Sequence, residues 1–229
     1  PGHDRWQGFL RSLRYVVIDE AHRSRGVFGA HVASVLRRLR RLCRHYGADP
    51  VFISASGTIA EPARHLERLA GVYDALAVDR DSCTRPALDF VVWQAAADPH
   101  REAAAMLTRL VDNGYQALAF TTSRIQAELV ADQARRHCID PDGIASYRAG
   151  YLANDRRELE AALSTGRLRG VACTNALELG VDITGMDAVL SIGFPGSLAA
   201  LWQQAGRAGR DGRDAFAMLI ARPDPLDTW

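Results

Sequence analysis

Tyr15-Val16-Val17-Ile18-Asp19-Glu20-Ala21-His22 is the stretch from which the fold of this chain can be read. An aromatic residue and three β-branched ones stand in a row and end abruptly in two acids. That is the pattern of a short, buried parallel strand with carboxylates just past its end. In open α/β sheets ligands bind outside the carboxyl ends of the strands, so Asp19 and Glu20 sit where a cofactor would lie. A carboxylate there can hold Mg²⁺ against phosphate oxygens, and its neighbour can orient or deprotonate a water. The Ile-Asp-Glu string alone also suits a helix N-cap and a solvated acid, so its neighbours must decide.

Residues from about Val27 to Tyr46 have helical periodicity. Val32, Val35, Leu36, Leu39 and Cys43 fall on one face, while Arg37, Arg38, Arg40, Arg41 and Arg44 crowd the rest. That basic face suits either nucleic acid or plain solvent. Val51–Ser54 reads as a second strand, Glu61–Leu69 as a helix with Pro62 in its first turn, and Ala75–Val78 as a candidate third strand. Asp79–Pro86 is polar, aperiodic and proline-bearing, and is read as a linker. Beyond it strands are expected at Phe90–Trp93, Ala117–Thr121, Gly143–Tyr147, Gly170–Thr174, Ala188–Ile192 and Ala215–Ala221. Helices are expected between them, at His100–Asn113, Ser123–His137, Asn154–Ser164 and Leu198–Arg207. Strand–helix alternation of this kind builds βαβ units, and so an α/β fold on mostly parallel sheets, covered on both faces.

Composition narrows the class. The 229 residues are 48% apolar and 24% charged, ordinary for a globular chain with a real core. No apolar run approaches the roughly 18 residues that span a bilayer, and no signal peptide is apparent. Cys43, Cys83, Cys138 and Cys173 are scattered without a C-x-x-C pair. This argues against a zinc site or a disulfide framework and suits a reducing cytoplasm. The net charge is only +1, and all 28 basic residues are arginine; the sequence contains no lysine.

Further segments carry chemistry. Gln203-Gln204-Ala205-Gly206-Arg207-Ala208-Gly209-Arg210 sets planar guanidinium groups among glycines, a pairing suited to the charge that develops on a transferring phosphoryl group. A surface Gly/Arg turn would look the same in isolation. Ser56-Gly57-Thr58 follows the second strand. Phe120-Thr121-Thr122-Ser123-Arg124 lies at a strand-to-helix junction, where hydroxyls and amides can meet a phosphate or merely cap the helix. Tyr147-Arg148-Ala149-Gly150 and Thr174-Asn175-Ala176-Leu177-Glu178-Leu179-Gly180-Val181-Asp182 end later strands. Trp202 could stack a base or pack between elements.

Taken in order, these segments resemble the motifs of superfamily 2 helicases. Val16–His22 resembles the DEAH form of the Walker B motif, and Ser56–Thr58 resembles motif III with Gly57 in place of the usual alanine. Phe120–Arg124 resembles motif IV, Thr174–Asp182 motif V, and Gln203–Arg210 motif VI. Arg25-Gly26-Val27-Phe28-Gly29-Ala30-His31-Val32, Gly193-Phe194-Pro195-Gly196-Ser197 and Leu201–Arg207 look like the bacterial DEAD/DEAH helicases with a C-terminal zinc-binding domain, the family of the mitomycin-repair DNA helicase. The resemblance implies tandem RecA-like domains. The C-terminal half of the first, with the linker, would occupy 1–84, and the second 85–229.

The resemblance implies the following roles. Asp19 binds Mg²⁺, Glu20 activates water, and Arg207 and Arg210 contact the γ-phosphate of ATP. Gly180 and Asp182 face the nucleotide, and His22, Gln203, Ser56 and Thr58 couple the motor. Ser123, Arg124, Arg148 and Thr174 face nucleic acid, DNA foremost and RNA as an alternative. A 3′-to-5′ DNA helicase acting in repair is the expected activity. The family places its Walker A loop upstream of the DEAH box. Such a loop needs a lysine, so none is hidden in this chain, which is expected to be truncated at both ends and inactive by itself. A RecA-like module that binds nucleic acid or a partner without turnover is the competing reading.

Overall fold

The computed structural model describes residues 2–57, 59–80, 87–147, 153–174, 186–209, 213–225 and 227. The chain divides into two compact units, Pro1–Ser82 and Cys83–Trp229.

In the first unit the opening strand forms as β1 (Tyr15–Ile18) and pairs in parallel with β2 (Val51–Ser54), Ile18 opposite Ser54. A short helix α1 (Gln7–Ser12) precedes them. Helix α2 (Gly26–His45) connects the strands, and α3 (Pro62–Ala70) follows with Pro62 in its first turn. Leu36 of α2, Phe52 of β2, and Leu66, Leu69 and Ala70 of α3 are buried together, with Val16 and Ile18 against them. Period-2 alternation turns Tyr15 and Val17 of β1 and Val51 and Ile53 of β2 to the other face, where all four are exposed. The expectation of a strand buried on both faces is therefore corrected: among the described residues only one face of this sheet is covered.

Residues 75–78 are not a strand. Leu76 and Val78 are 92% and 94% exposed, and the Ala75 N–H donates to the Glu67 carboxylate instead of joining a ladder. The arginine-rich face of α2 is partly structural. Arg37 donates to the Arg68 carbonyl at 2.8 Å and Arg40 to that of Gly71, so two guanidinium groups satisfy the carbonyls at the end of α3.

The second unit holds six parallel strands in the order β3-β8-β7-β4-β6-β5. These are β3 (Leu88–Gln94), β4 (Ala117–Phe120), β5 (Ile144–Tyr147), β6 (Gly170–Cys173), β7 (Ala188–Ile192) and β8 (Ala215–Ala221). Helices α4 (Pro99–Asp112) and α5 (Arg124–His137) cover one face, burying Leu107, Val111 and Val130 against Ala117, Ala119, Leu190 and Ile220. Helix α6 (Ala153–Ser164) covers the other, where Ala162 and Leu163 meet Leu118, Phe120 and Val171. On that side too runs α7 (Leu198–Ala205), its Trp202 ring tilted onto Phe90 at 5.7 Å between centroids. Strands β4, β6 and β7 are buried along their whole length, as central parallel strands read from continuous apolar runs should be.

Burial pushes the thiols of Cys43 and Cys138 above the usual range. Among the described residues no helix is long and apolar enough to cross a membrane.

Candidate functional site

Pairing β1 with β2 in register brings the two strand ends side by side. The Ala55 N–H donates to the Ile18 carbonyl at 2.9 Å, and the Ala21 N–H donates to the Ala55 carbonyl at 3.0 Å. The backbone is thus laced together across both carboxyl ends, just where Asp19, Glu20 and Ser56 leave the sheet. Asp19 is exposed, and its Oδ1 accepts the Glu20 N–H at 2.8 Å. Glu20 has φ of 49°, a left-handed conformation that a residue with a Cβ seldom adopts. Non-glycine residues held there cost of order 1–3 kcal/mol and cluster at functional sites. The lacing on either side holds Glu20 in this conformation.

His22 links the two strand ends through its side chain. Its Nδ1 lies 2.9 Å from Ser56 Oγ and 3.3 Å from Glu20 Oε2, with the imidazole nearly withdrawn from solvent. One ring nitrogen therefore stands between a hydroxyl from the second strand and the carboxylate beside the first. His65 of α3 completes the arrangement, its Nε2 2.9 Å from the Ala21 carbonyl. Sequence reasoning missed His65, since a lone histidine on an amphipathic helix carries no spacing signal. At Gly57 a Cβ would meet nothing within 4 Å, and the backbone is not left-handed. An alanine would fit, so the departure from the usual motif III is not forced by packing.

In the second unit the predicted residues fall into two groups. Ser123 caps α5, accepting the Gln126 N–H at 3.2 Å. Thr121 and Thr174 are buried beside it at the carboxyl ends of β4 and β6, where the Thr121 N–H donates to the Cys173 carbonyl and the Thr174 N–H to that of Tyr147. Arg124 is exposed in the first turn of α5. This edge gathers hydroxyls at a helix start, an arrangement able to meet a phosphate oxygen. Gln203 and Arg207 lie elsewhere, at the far end of α7. There the Gly209 N–H donates to the Met186 carbonyl, just ahead of the amino end of β7. Arg207 is buried and Gln203 half-buried. Thr58, Arg148, Gly180, Asp182 and Arg210 lie outside the described residues. No group of three or more His, Cys, Asp or Glu side chains among the described residues could hold a metal ion by itself.

The geometry has close relatives. The chain matches the DEAD/DEAH box helicase family over residues 3–66 and the helicase conserved C-terminal domain over residues 102–212. It is 40% identical over 241 residues to the ATP-dependent helicase YprA of Bacillus subtilis, a match spanning 100% of this chain and 32% of that protein. It is 38% identical over 244 residues to the ATP-dependent helicase HRQ1 of Saccharomyces cerevisiae, spanning 99% of this chain and 23% of the relative. The crystal structure of the DUF1998 helicase MrfA bound to DNA superposes with a TM-score of 0.89 at 39% identity, over 100% of this chain and 34% of that one. MrfA bound to DNA and AMPPNP gives 0.88 at 39%, over 98% and 33%. The chain thus spans about a third or less of the length of these relatives.

Proposed function

The chain belongs to the DEAD/DEAH-box helicases of superfamily 2, of the type that includes MrfA, YprA and HRQ1, and on that premise we propose that it is motor machinery of an ATP-dependent DNA helicase. The observation that carries the reading is the joining of Asp19, Glu20, His22 and Ser56 at the carboxyl ends of β1 and β2, with Glu20 held left-handed. A constrained acid at the carboxyl end of a strand, tied to a second strand through His22, favours a part in turnover over mere binding of nucleic acid.

Asp19 offers a hard carboxylate oxygen at solvent, which suits a magnesium ion, and Mg²⁺ supplies charge neutralisation to the phosphates when bound. Glu20 then orients the attacking water and accepts its proton. His22 and Ser56 tie the acid to the second strand, so that a shift of one strand end is felt by the other. Arg207 and Arg210 stabilise the charge that spreads over the phosphoryl oxygens. No residue of this chain can act as the Walker A lysine, since the sequence has none, so the activity belongs to a polypeptide that also carries a phosphate-binding loop. Ser123, Arg124, Arg148 and Thr174 contact the nucleic-acid backbone. DNA is favoured because MrfA, so similar over the whole chain, has been crystallised with DNA. The 3′-to-5′ direction and a role in DNA repair rest on the family resemblance.

Steady-state ATP hydrolysis by the full-length polypeptide, with and without single-stranded DNA or RNA, tests the reading. DNA should stimulate turnover more than RNA, and Glu20→Gln or Arg207→Ala should each lower kcat by about a hundredfold or more. Turnover at the parental rate in Glu20→Gln, or none under any nucleic acid, would overturn it.

A further inference from the structure

Helix α7 carries Gln203 and leads into Arg207, yet its apolar hold on the sheet is slight. It has eight residues, about 12 Å of helix, of which Leu201 and Ala205 are the buried apolar ones. Leu198 and Trp202 are largely exposed, and Ala199, Ala200 and Ala205 give small contacts along which a helix can slide. Apolar burial is non-directional and does not by itself set the height or rotation of such a helix. Directional contacts do, and α7 has them where the sequence would predict none.

Ser191 interrupts an otherwise apolar buried strand, Ala188–Ile192. Its Oγ donates to Gln204 Oε1 at 2.8 Å, both side chains being buried. Gln204 in turn accepts the Arg207 N–H on its backbone carbonyl at 3.0 Å, so the residue fastened to the sheet is the one that holds the turn of Arg207. At the other end of α7 a second polar contact fixes the incoming loop. Asp227 has a side chain with no exposed surface. Its Oδ1 accepts the Phe194 N–H at 2.8 Å, while Oδ2 accepts the Arg222 N–H at 2.8 Å and Arg222 Nε–H at 3.2 Å. The loop is thereby bound to the end of β8, three residues before Ser197 caps α7.

We propose that Ser191, Gln204 and Asp227 are positioning residues that set the height and rotation of α7, and with it the place of Gln203 and Arg207. None of the three stands at a defined position of the helicase motifs read from the sequence. The inference deepens the functional reading above and rests on it for its consequence in turnover.

The full-length polypeptide decides it with Ser191→Ala, Ser191→Ala/Gln204→Met and Asp227→Asn. Removing one partner of a buried hydrogen bond costs stability, whereas replacing both with apolar groups of similar shape is close to neutral. The double variant should therefore regain the thermal stability that Ser191→Ala loses. Its kcat for DNA-stimulated ATP hydrolysis should stay about fivefold to tenfold down, with KM for ATP within about twofold, because the directional contact is still missing. Amides of residues 201–206 should exchange about tenfold faster in the double variant and in Asp227→Asn, while those of β4 keep their protection. A double variant that recovers turnover together with stability would reduce the pair to a structural role and overturn the proposal, as would α7 amides exchanging at the parental rate. Arg207→Ala, run alongside, separates the two claims. If it retains full turnover the functional reading fails, while hydrogen exchange in α7 still decides the positioning.

Discussion

Ser56→Ala is the most informative single change at the strand ends. Ser56 is half-buried, and alanine occupies the same space less one oxygen, so the fold should not change. What is lost is the 2.9 Å contact to His22 Nδ1. A neutral, partly buried hydrogen bond contributes about 1 kcal/mol net, and if it operates in the transition state its loss slows turnover about fivefold. His22→Ala removes this contact and also the 3.3 Å contact to Glu20, so it should cost about tenfold or more. The two substitutions act on one connection. In a double-mutant cycle on DNA-stimulated ATP hydrolysis by the full-length polypeptide, the double variant should turn over no more slowly than His22→Ala alone, a coupling of about 1 kcal/mol. Effects that multiply, with the double variant about fifty-fold down, would mean that Ser56 and His22 work independently and that the join between the strand ends has no part in turnover.

Three further outcomes follow from the same structure. The 229-residue chain alone should show no ATP hydrolysis above background, with or without DNA, because it has no lysine to position the phosphates; turnover that Glu20→Gln abolishes would refute this. Amides of Val16–Ile18 should exchange faster than those of Val171–Cys173, since the first sheet leaves Tyr15, Val17, Val51 and Ile53 exposed and the second buries β6 entirely; equal protection would contradict it. Gly170→Ala should destabilise the second unit by about 1–3 kcal/mol in denaturant titration, because a Cβ there would stand 2.7 Å from Val111 Cγ2 and 3.1 Å from Ile144 Cγ1; unchanged stability would show that this part of the core can give way.

Most of the fold was legible because its signals are local. Continuous apolar runs marked β1, β2, β4, β6 and β7 to within a residue, and Pro62 and Ser123 marked helix starts where they were expected. The failures have non-local causes. Ala75–Val78 has the composition of a strand and, among the described residues, no neighbour to pair with, which no window of sequence can reveal. The burial expected for both faces of β1 depends on what covers the sheet, and the exposed Val17 stands between the half-buried Val16 and Ile18 with nothing in its hydropathy to set it apart. In the site, Asp19, Glu20, His22 and Ser56 could be named because their order along the chain is distinctive. His65, Gln204 and Asp227 could not, since each matters through a contact with a residue distant in sequence. The roles of Arg37 and Arg40 were hidden for the same reason, as an arginine bound to a helix end and one in water read alike.

Whether these residues belong to a motor driven by ATP is read from strand separation. The full-length polypeptide should be given a DNA duplex with a single-stranded 3′ tail, one with a 5′ tail and one with blunt ends, in the presence of ATP and Mg²⁺. The 3′-tailed duplex should be separated and the others should not, and Glu20→Gln and Arg207→Ala should each abolish separation while leaving DNA binding intact. A polypeptide that binds the tailed duplex and separates no strands with ATP, or one that separates them equally well as Glu20→Gln, would contradict it.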